Sequence, residues 1–126
     1  SQDSSDYSAV FNLGLNLRRQ GKAEDAAGLF LHASTLKPEA LEPLLLGAGA
    51  LREVEKYGPA QELIGKFLKL SPESMPGLLQ AAALSHLMQE PSEAEAYLER
   101  AIAVDPERVK LRAERDEALE WALEKL

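Results

Sequence analysis

The sequence predicts an all-α chain, an α-α solenoid of paired helices with about seven helices in all. Two observations carry this expectation. The prolines of Leu36-Lys37-Pro38-Glu39, Leu70-Ser71-Pro72-Glu73 and Val104-Asp105-Pro106-Glu107 fall at 38, 72 and 106, a period of 34 residues twice over. On the same ruler stand Ala26, Ala60 and Ala94, each followed four positions later by a large apolar residue: Phe30, Ile64 and Leu98. A fixed period of about 20 to 50 residues marks stacked repeats, in which each unit hides its apolar face only against a neighbour. No segment alternates apolar and polar residues between turn signals, so no strand is expected.

The elements follow in order. The first six residues are polar and read as a disordered N-terminal edge. A helix is predicted over about residues 7–20, because Val10, Leu13, Gly14 and Leu17 keep the i, i+3, i+4, i+7 spacing and Gly21 supplies the stop. Its partner spans about residues 22–36, with Ala23, Ala26, Ala27, Phe30, Ala33 and Leu36 as the buried stripe and Pro38 as the terminator. The second unit repeats the pattern with Leu44, Gly47, Ala48 and Leu51, then Ala60, Ile64, Phe67 and Leu70. The third does so with Leu78, Ala81, Ala82 and Ser85, then Ala94, Leu98, Ala101 and Ile102. Pro59, Pro76 and Pro91 fall near predicted helix starts, where a missing N–H costs little. The units are thus 7–40, 41–74 and 75–108, and residues 109–126 are expected to form one capping helix, the whole of 7–126 being one domain. In that last helix Arg112, Arg115 and Asp116 stand where a fourth unit would need packing residues.

Small residues give the stack its steric logic. Gly14, Ala48 and Ala82 share one repeat position, and Ala26, Ala60 and Ala94 another. A larger side chain at such a close helix crossing would overpack it at a cost of about 1–3 kcal/mol.

These residues identify a resemblance. With Tyr7, Leu41 and Met75 as position 1, the chain resembles three tetratricopeptide repeats, matching their large apolar residues at 4, 7 and 11, small residues at 8, 20 and 27, an apolar residue at 24 and proline at 32. The first unit fits best, with Val10, Leu13, Gly14, Leu17, Ala26, Phe30, Ala33 and Pro38. Departures are Gly47 and Ala81 at position 7, Ser85 at position 11 and Phe67 at position 27. The resemblance implies a right-handed superhelix whose first helices line an inner face, where partner contacts come from positions 2, 5, 6, 9, 12 and 13. Among those positions here are Phe11, Asn12, Leu15, Arg18, Arg19, Leu45, Leu46, Arg52, Leu79, Gln80, Ala83, His86 and Leu87. The chaperone-tail binders of the family place Lys, Asn and Arg at five of these positions to clamp a terminal carboxylate. This chain has Phe11, Leu15, Leu46, Pro76 and Gln80 there, so the clamp is absent and the inner wall is apolar.

The expected function is therefore non-catalytic: a module that binds an apolar or amphipathic peptide or helix in its groove, as adaptor, chaperone or assembly factor. Arg18, Arg19 and Arg52 are expected to flank the groove and to pair with acidic residues of the partner. The alternative is a self-associating scaffold that buries the groove or the last helix in a homo-oligomer. A third possibility for Leu46, Leu79 and their neighbours is that they simply enlarge the core.

Composition bounds the rest. The chain has 126 residues, 45% hydrophobic and 28% charged, with 14 Lys and Arg against 21 Asp and Glu and no cysteine. A net charge of −7 argues against nucleic acid as a partner, since counterion release needs clustered cations. No apolar run is long enough for membrane insertion. The lack of cysteine excludes disulfides, thiolate catalysis and Cys-ligated zinc, and suits a reducing or an oxidising space, with the cytoplasm favoured over the periplasm. His32 and His86 stand 54 positions apart without metal-ligand spacing, and Gly47-Ala48-Gly49 lies inside a predicted helix, so no enzyme, metal or cofactor is expected. Residues 73–106 carry six acids against one arginine, but Glu93, Glu95 and Glu99 spread around their helix as a solvated face.

Overall fold

The computed structural model describes residues 4–126. Eight helical segments follow one another: α1 (Ser4–Arg19), α2 (Ala23–Leu36), α3 (Leu41–Glu53), α4 (Tyr57–Leu70), α5 (Met75–Leu87), α6 (Pro91–Val104), α7 (Pro106–Ala113) and a terminal 3₁₀ helix (Glu117–Lys125). No strand occurs among the described residues. α1 starts at Ser4, so part of the segment expected to be a disordered edge is helical, and the remainder of that expectation falls on residues 1–3, outside the described ones. The chain divides into two compact units, residues 4–70 and 71–126.

In the first unit α1 packs on α2, α2 on α3 and α3 on α4. Ala26, Ala33, Ala48 and Ala60 are fully buried with Phe30 at the centre. A methyl group on Gly14 would stand 2.9 Å from Cε1 of Phe30, which explains the small residue at that crossing. One on Gly47 would meet Leu63 at 2.9 Å and Cβ of Phe30 at 3.3 Å. Position 7 of the second repeat therefore faces the second helix of its own repeat and that of the preceding one. Leu13 occupies the same position in the first repeat, which no described helix precedes, and it is 50% exposed rather than part of the expected core stripe.

One turn joins the helices of every pair. Gly21, Glu55 and Gln89 have φ of 82°, 60° and 61°, the left-handed region. Behind each, a 6→1 hydrogen bond runs from Lys22 to Leu17 (2.9 Å), Lys56 to Leu51 (2.9 Å) and Glu90 to Ser85 (2.8 Å). A second, 5→2 bond runs from Gly21 to Arg18, Glu55 to Arg52 and Gln89 to His86, each 3.0 Å. These are Schellman motifs, which satisfy carbonyls left open at the helix end.

In the second unit α5 packs on α6, and Leu78, Leu84, Leu98, Ala101, Val109, Leu119 and Ala122 are buried. Ser85 is buried at 0% exposure, and its hydroxyl finds no hydrogen-bond partner among the described residues. Pro76, Pro91 and Pro106 all stand in first helical turns, as their chemistry requires. Asp105 caps α7 by accepting from the N–H groups of Glu107 (3.1 Å) and Arg108 (3.2 Å).

The expected single capping helix over 109–126 is two elements. α7 ends at Ala113, Asp116 turns outward to an extended φ of −129°, and its carboxylate caps the 3₁₀ helix by accepting from Ala118 N–H at 3.0 Å. The break falls where Arg112, Arg115 and Asp116 replace packing residues: a side chain that can bond its own backbone favours a cap over a helix interior.

Candidate functional site

The inner face of the first unit is built by α1 and α3. Their first turns lie together, since Tyr7 near the start of α1 feels the charges of Glu42 and Glu39 around the start of α3. Their last turns are joined by Arg18 and Glu53, so the two helices run parallel. The Tyr7 ring stacks on Phe11 (5.8 Å between centroids, 8° between planes), and Phe11 in turn meets Phe30 of α2 at 5.7 Å. Lys37 Nζ sits 4.8 Å from the centre of the Tyr7 ring. Burial, with the carboxylates of Glu42 and Glu39, raises the Tyr7 hydroxyl pKa above its usual value.

Between these ends α1 and α3 carry large apolar residues. Phe11 and Leu15 on α1 and Leu45 and Leu46 on α3 are each half-buried. Asn12 and Arg19 are exposed, and Arg19 donates to Asn16 Oδ1 at 3.2 Å. Arg52 is half-buried. Arg18, expected to await a partner's carboxylate, is engaged within the molecule: Nε and Nη2 donate to the same oxygen of Glu53 at 3.0 and 2.6 Å. Its guanidinium passes over Gly49, where a methyl group would stand 2.9 Å from Nη2. The glycine makes room for the ion pair.

The corresponding surface of the second unit is closed. Leu79 and Ala83 are 1% and 0% exposed, and so belong to the core rather than to a groove wall. Gln80 and Leu87 are half-buried. His86 is exposed at its rim and stacks on Trp121 of the 3₁₀ helix, 5.1 Å between centroids and 18° between planes. Trp121 also donates its indole N–H to the carbonyl of Ala118 at 2.7 Å. The 3₁₀ helix therefore lies on α5.

The two contacts obey one rule that the sequence reading missed. Arg18 to Glu53 and His86 to Trp121 both span 35 positions, from position 12 of one repeat to position 13 of the next. The recurrence was readable once the register was set, because Trp121 is position 13 of a fourth unit counted from Val109.

Among the described residues no group of three or more His, Cys, Asp or Glu side chains is arranged to hold a metal ion. No helix among them is long and apolar enough to cross a membrane. His32 lies exposed on α2, its carbonyl accepting from Thr35 Oγ1 at 2.7 Å.

No family model and no curated protein matches the chain. Solved structures do. The Yersinia enterocolitica type III secretion chaperone SycD, in complex with a peptide of the translocator YopD, superposes with a TM-score of 0.81 at 22% identity, over 98% of each chain. MamA from Desulfovibrio magneticus RS-1 gives 0.78 at 16% identity, over 96% of this chain and 72% of that one. The first TPR of Spaghetti (RPAP3), bound to the HSP90 peptide SRMEEVD, gives 0.76 at 19% identity over 82% of each.

Proposed function

We propose that this chain, whose fold is that of the tetratricopeptide repeats, is a non-catalytic binding module for an apolar or amphipathic segment of another protein, acting as a chaperone or adaptor. The observation that carries this reading is the strip of Phe11, Leu15, Leu45 and Leu46, large apolar side chains left half-exposed on adjacent inner helices. Such side chains gain roughly 25 cal/mol for every Å² of carbon surface that a partner covers. Two structural neighbours hold peptides, one from YopD and one from HSP90. Of these the first is the better guide to chemistry, because Phe11, Leu15 and Leu46 leave no clamp for a terminal carboxylate. A partner would seat buried anchors on the first unit, with Leu79 and Ala83 supporting the fold from within.

The test is affinity purification of the intact chain and of Leu45→Glu, with mass spectrometry of what remains bound. The expected result is a partner held by the former and lost by the latter, with identical helical circular dichroism. Retention of the same partner by Leu45→Glu overturns the reading. Self-association is the competing reading, favoured by Leu13, which lies 50% exposed at a position that a preceding helix covers in the second repeat. Light scattering separates them: a mass near 13.8 kDa at all concentrations leaves the peptide receptor, and a dimer that Leu13→Glu dissolves leaves the scaffold.

A further inference from the structure

The residue types of the last two elements do not ask for the break between them. Neither glycine nor proline follows Pro106, and from Glu114 to Leu126 every residue except Asp116 and Trp121 is a strong helix former. The backbone itself nearly continues. Glu114 keeps a helical φ and ψ of −70° and −17°, and Arg115 N–H still donates to the Arg112 carbonyl at 3.0 Å. At Asp116, with φ −129° and ψ 111°, the chain leaves the helix, and nine residues then take a 3₁₀ form that ordinarily runs for about three or four. Docking on α5 imposes that form: Leu119 and Ala122 are buried and the Trp121 ring lies on His86.

One hinge thus separates two states. With Asp116 in the α region, α7 and the 3₁₀ segment join into a single α-helix over Pro106–Lys125, about 30 Å long. The docked state keeps the Asp116 cap and the contacts on α5, while the joined state exchanges them for better aligned i→i−4 hydrogen bonds. Joining takes the segment off the face of α5 that carries His86. On that face Ala83 and Leu79 stand one and two turns earlier, and the three match Arg18, Leu15 and Phe11 of α1 in repeat position.

We propose that residues 117–125 are a displaceable strap, a resident pseudo-ligand on the inner face of α5, and that a protein segment of the strap's own pattern replaces it. That pattern is a leucine, an aromatic residue two positions on and an alanine directly after, as in Leu119, Trp121 and Ala122. The seated strap defines this chemistry, since a replacement must fill the places of Leu119 and Ala122 and offer a ring to His86. A segment that binds only the joined state draws the chain toward it by mass action. The device belongs to the second unit and does not depend on Phe11, Leu15, Leu45 and Leu46 of the first.

The probe is a synthetic peptide of residues 114–126 in which phenylalanine replaces the tryptophan, so that Trp121 of the intact chain is the sole indole and reports the resident strap. Titration is expected to raise acrylamide quenching of Trp121 saturably as its ring gives up His86. Two substitutions push the hinge in opposite directions. Asp116→Ala removes the cap of the docked state and should tighten the apparent affinity about three- to tenfold, because more of the chain stands ready to bind. Glu117→Pro puts proline in the first turn of the 3₁₀ helix, where it is tolerated, holds Asp116 extended and breaks the joined helix. It should weaken binding by at least as much and keep the parent's Trp121 emission when no peptide is present.

Equal affinity of all three chains overturns the hinge, and so does a red-shifted Trp121 in Glu117→Pro alone. Binding that leaves Trp121 unmoved, or no binding even to Asp116→Ala, overturns the strap. Leu45→Glu should bind the probe as the parent does; loss of the probe there would seat it on the first unit and overturn the strap while the groove stands. A parent chain that doubles its mass with concentration, beside a Glu117→Pro chain that stays single, would make the occupant the strap of a second copy and overturn the partner segment.

Discussion

Arg18 reaches across Gly49 to hold Glu53, giving Nε and Nη2 to a single carboxylate oxygen at 3.0 and 2.6 Å. The pair ties the last turn of α1 to the last turn of α3, and it spends on the molecule itself a cation that the sequence offered to a partner. The side chains are 29% and 49% exposed, so water screens the attraction. Glu53→Ala is accordingly expected to cost less than about 1 kcal/mol in urea unfolding, with the difference shrinking as salt rises. The freed Arg18 should then bind an acidic peptide terminus more tightly than it does in the parent chain. Unchanged affinity for such a peptide would show that the guanidinium stays over Gly49 without its carboxylate.

The three inter-helical turns supply a sharper stability test. Gly21 adopts φ of 82° with nothing within 4 Å of where a side chain would begin, so the demand there is purely conformational. Glu55 and Gln89 adopt the same region with a Cβ to accommodate. Glu55→Gly and Gln89→Gly should each stabilise the chain by about 0.5–1 kcal/mol, and Gly21→Ala should destabilise it by a similar amount. Denaturant midpoints moving in the same direction for all three would refute the assignment.

That turn also shows where sequence legibility stops. The period of 34, the helix pairs and the small crossing residues were all readable, because each is a repeated chemical constraint. The left-handed residue was readable only at Gly21, since Glu55 and Gln89 carry no compositional mark of their conformation. The inner face was half readable for a related reason. Phe11, Leu45 and Leu79 share one repeat position, yet only the first two keep exposed surface, while Leu79 is buried at 1% on the helix that carries the 3₁₀ segment. Exposure at a repeat position depends on what stacks beside it, and Leu13, half-exposed where no described helix precedes it, makes the same point.

Those differences separate two substitutions that the sequence alone would treat alike. Leu45→Glu places a carboxylate on a half-exposed strip, where it keeps its water, and should cost under about 1.5 kcal/mol while removing partner binding. Leu79→Glu buries the charge and should cost upwards of about 3 kcal/mol, melting the second unit. Circular dichroism and thermal unfolding of both distinguish groove from core. Equal destabilisation would place Leu45 in the core as well.

Ser85 is the buried exception to repeat position 11, where the other repeats have Leu17 and Leu51. Its hydroxyl is enclosed at 0% exposure with no acceptor or donor among the described residues. Removing an unsatisfied buried group while leaving the methylene packing intact is favourable, so Ser85→Ala should stabilise the chain by about 1 kcal/mol. A loss of stability of that size would reveal an ordered water on the hydroxyl.

The 3₁₀ helix poses the last question, because nine residues is long for a conformation usually confined to runs of about three or four. Two features hold it: the Asp116 cap at Ala118 N–H and the burial of Leu119 and Ala122, at 1% and 0% exposure. Packing should dominate, since 3₁₀ hydrogen bonds are poorly aligned. Asp116→Ala removes the cap at a cost of about 0.5–2 kcal/mol and should loosen the segment without melting α5 or α6. Trp121 is the only tryptophan in the chain, so its emission reports this segment alone. The expected signature is a red-shifted, more easily quenched Trp121 in Asp116→Ala as the ring leaves His86, with far-UV ellipticity nearly unchanged. A parallel loss of helical signal would mean instead that the cap and the third repeat fold as one cooperative body, in which case α5 has no inner face to expose.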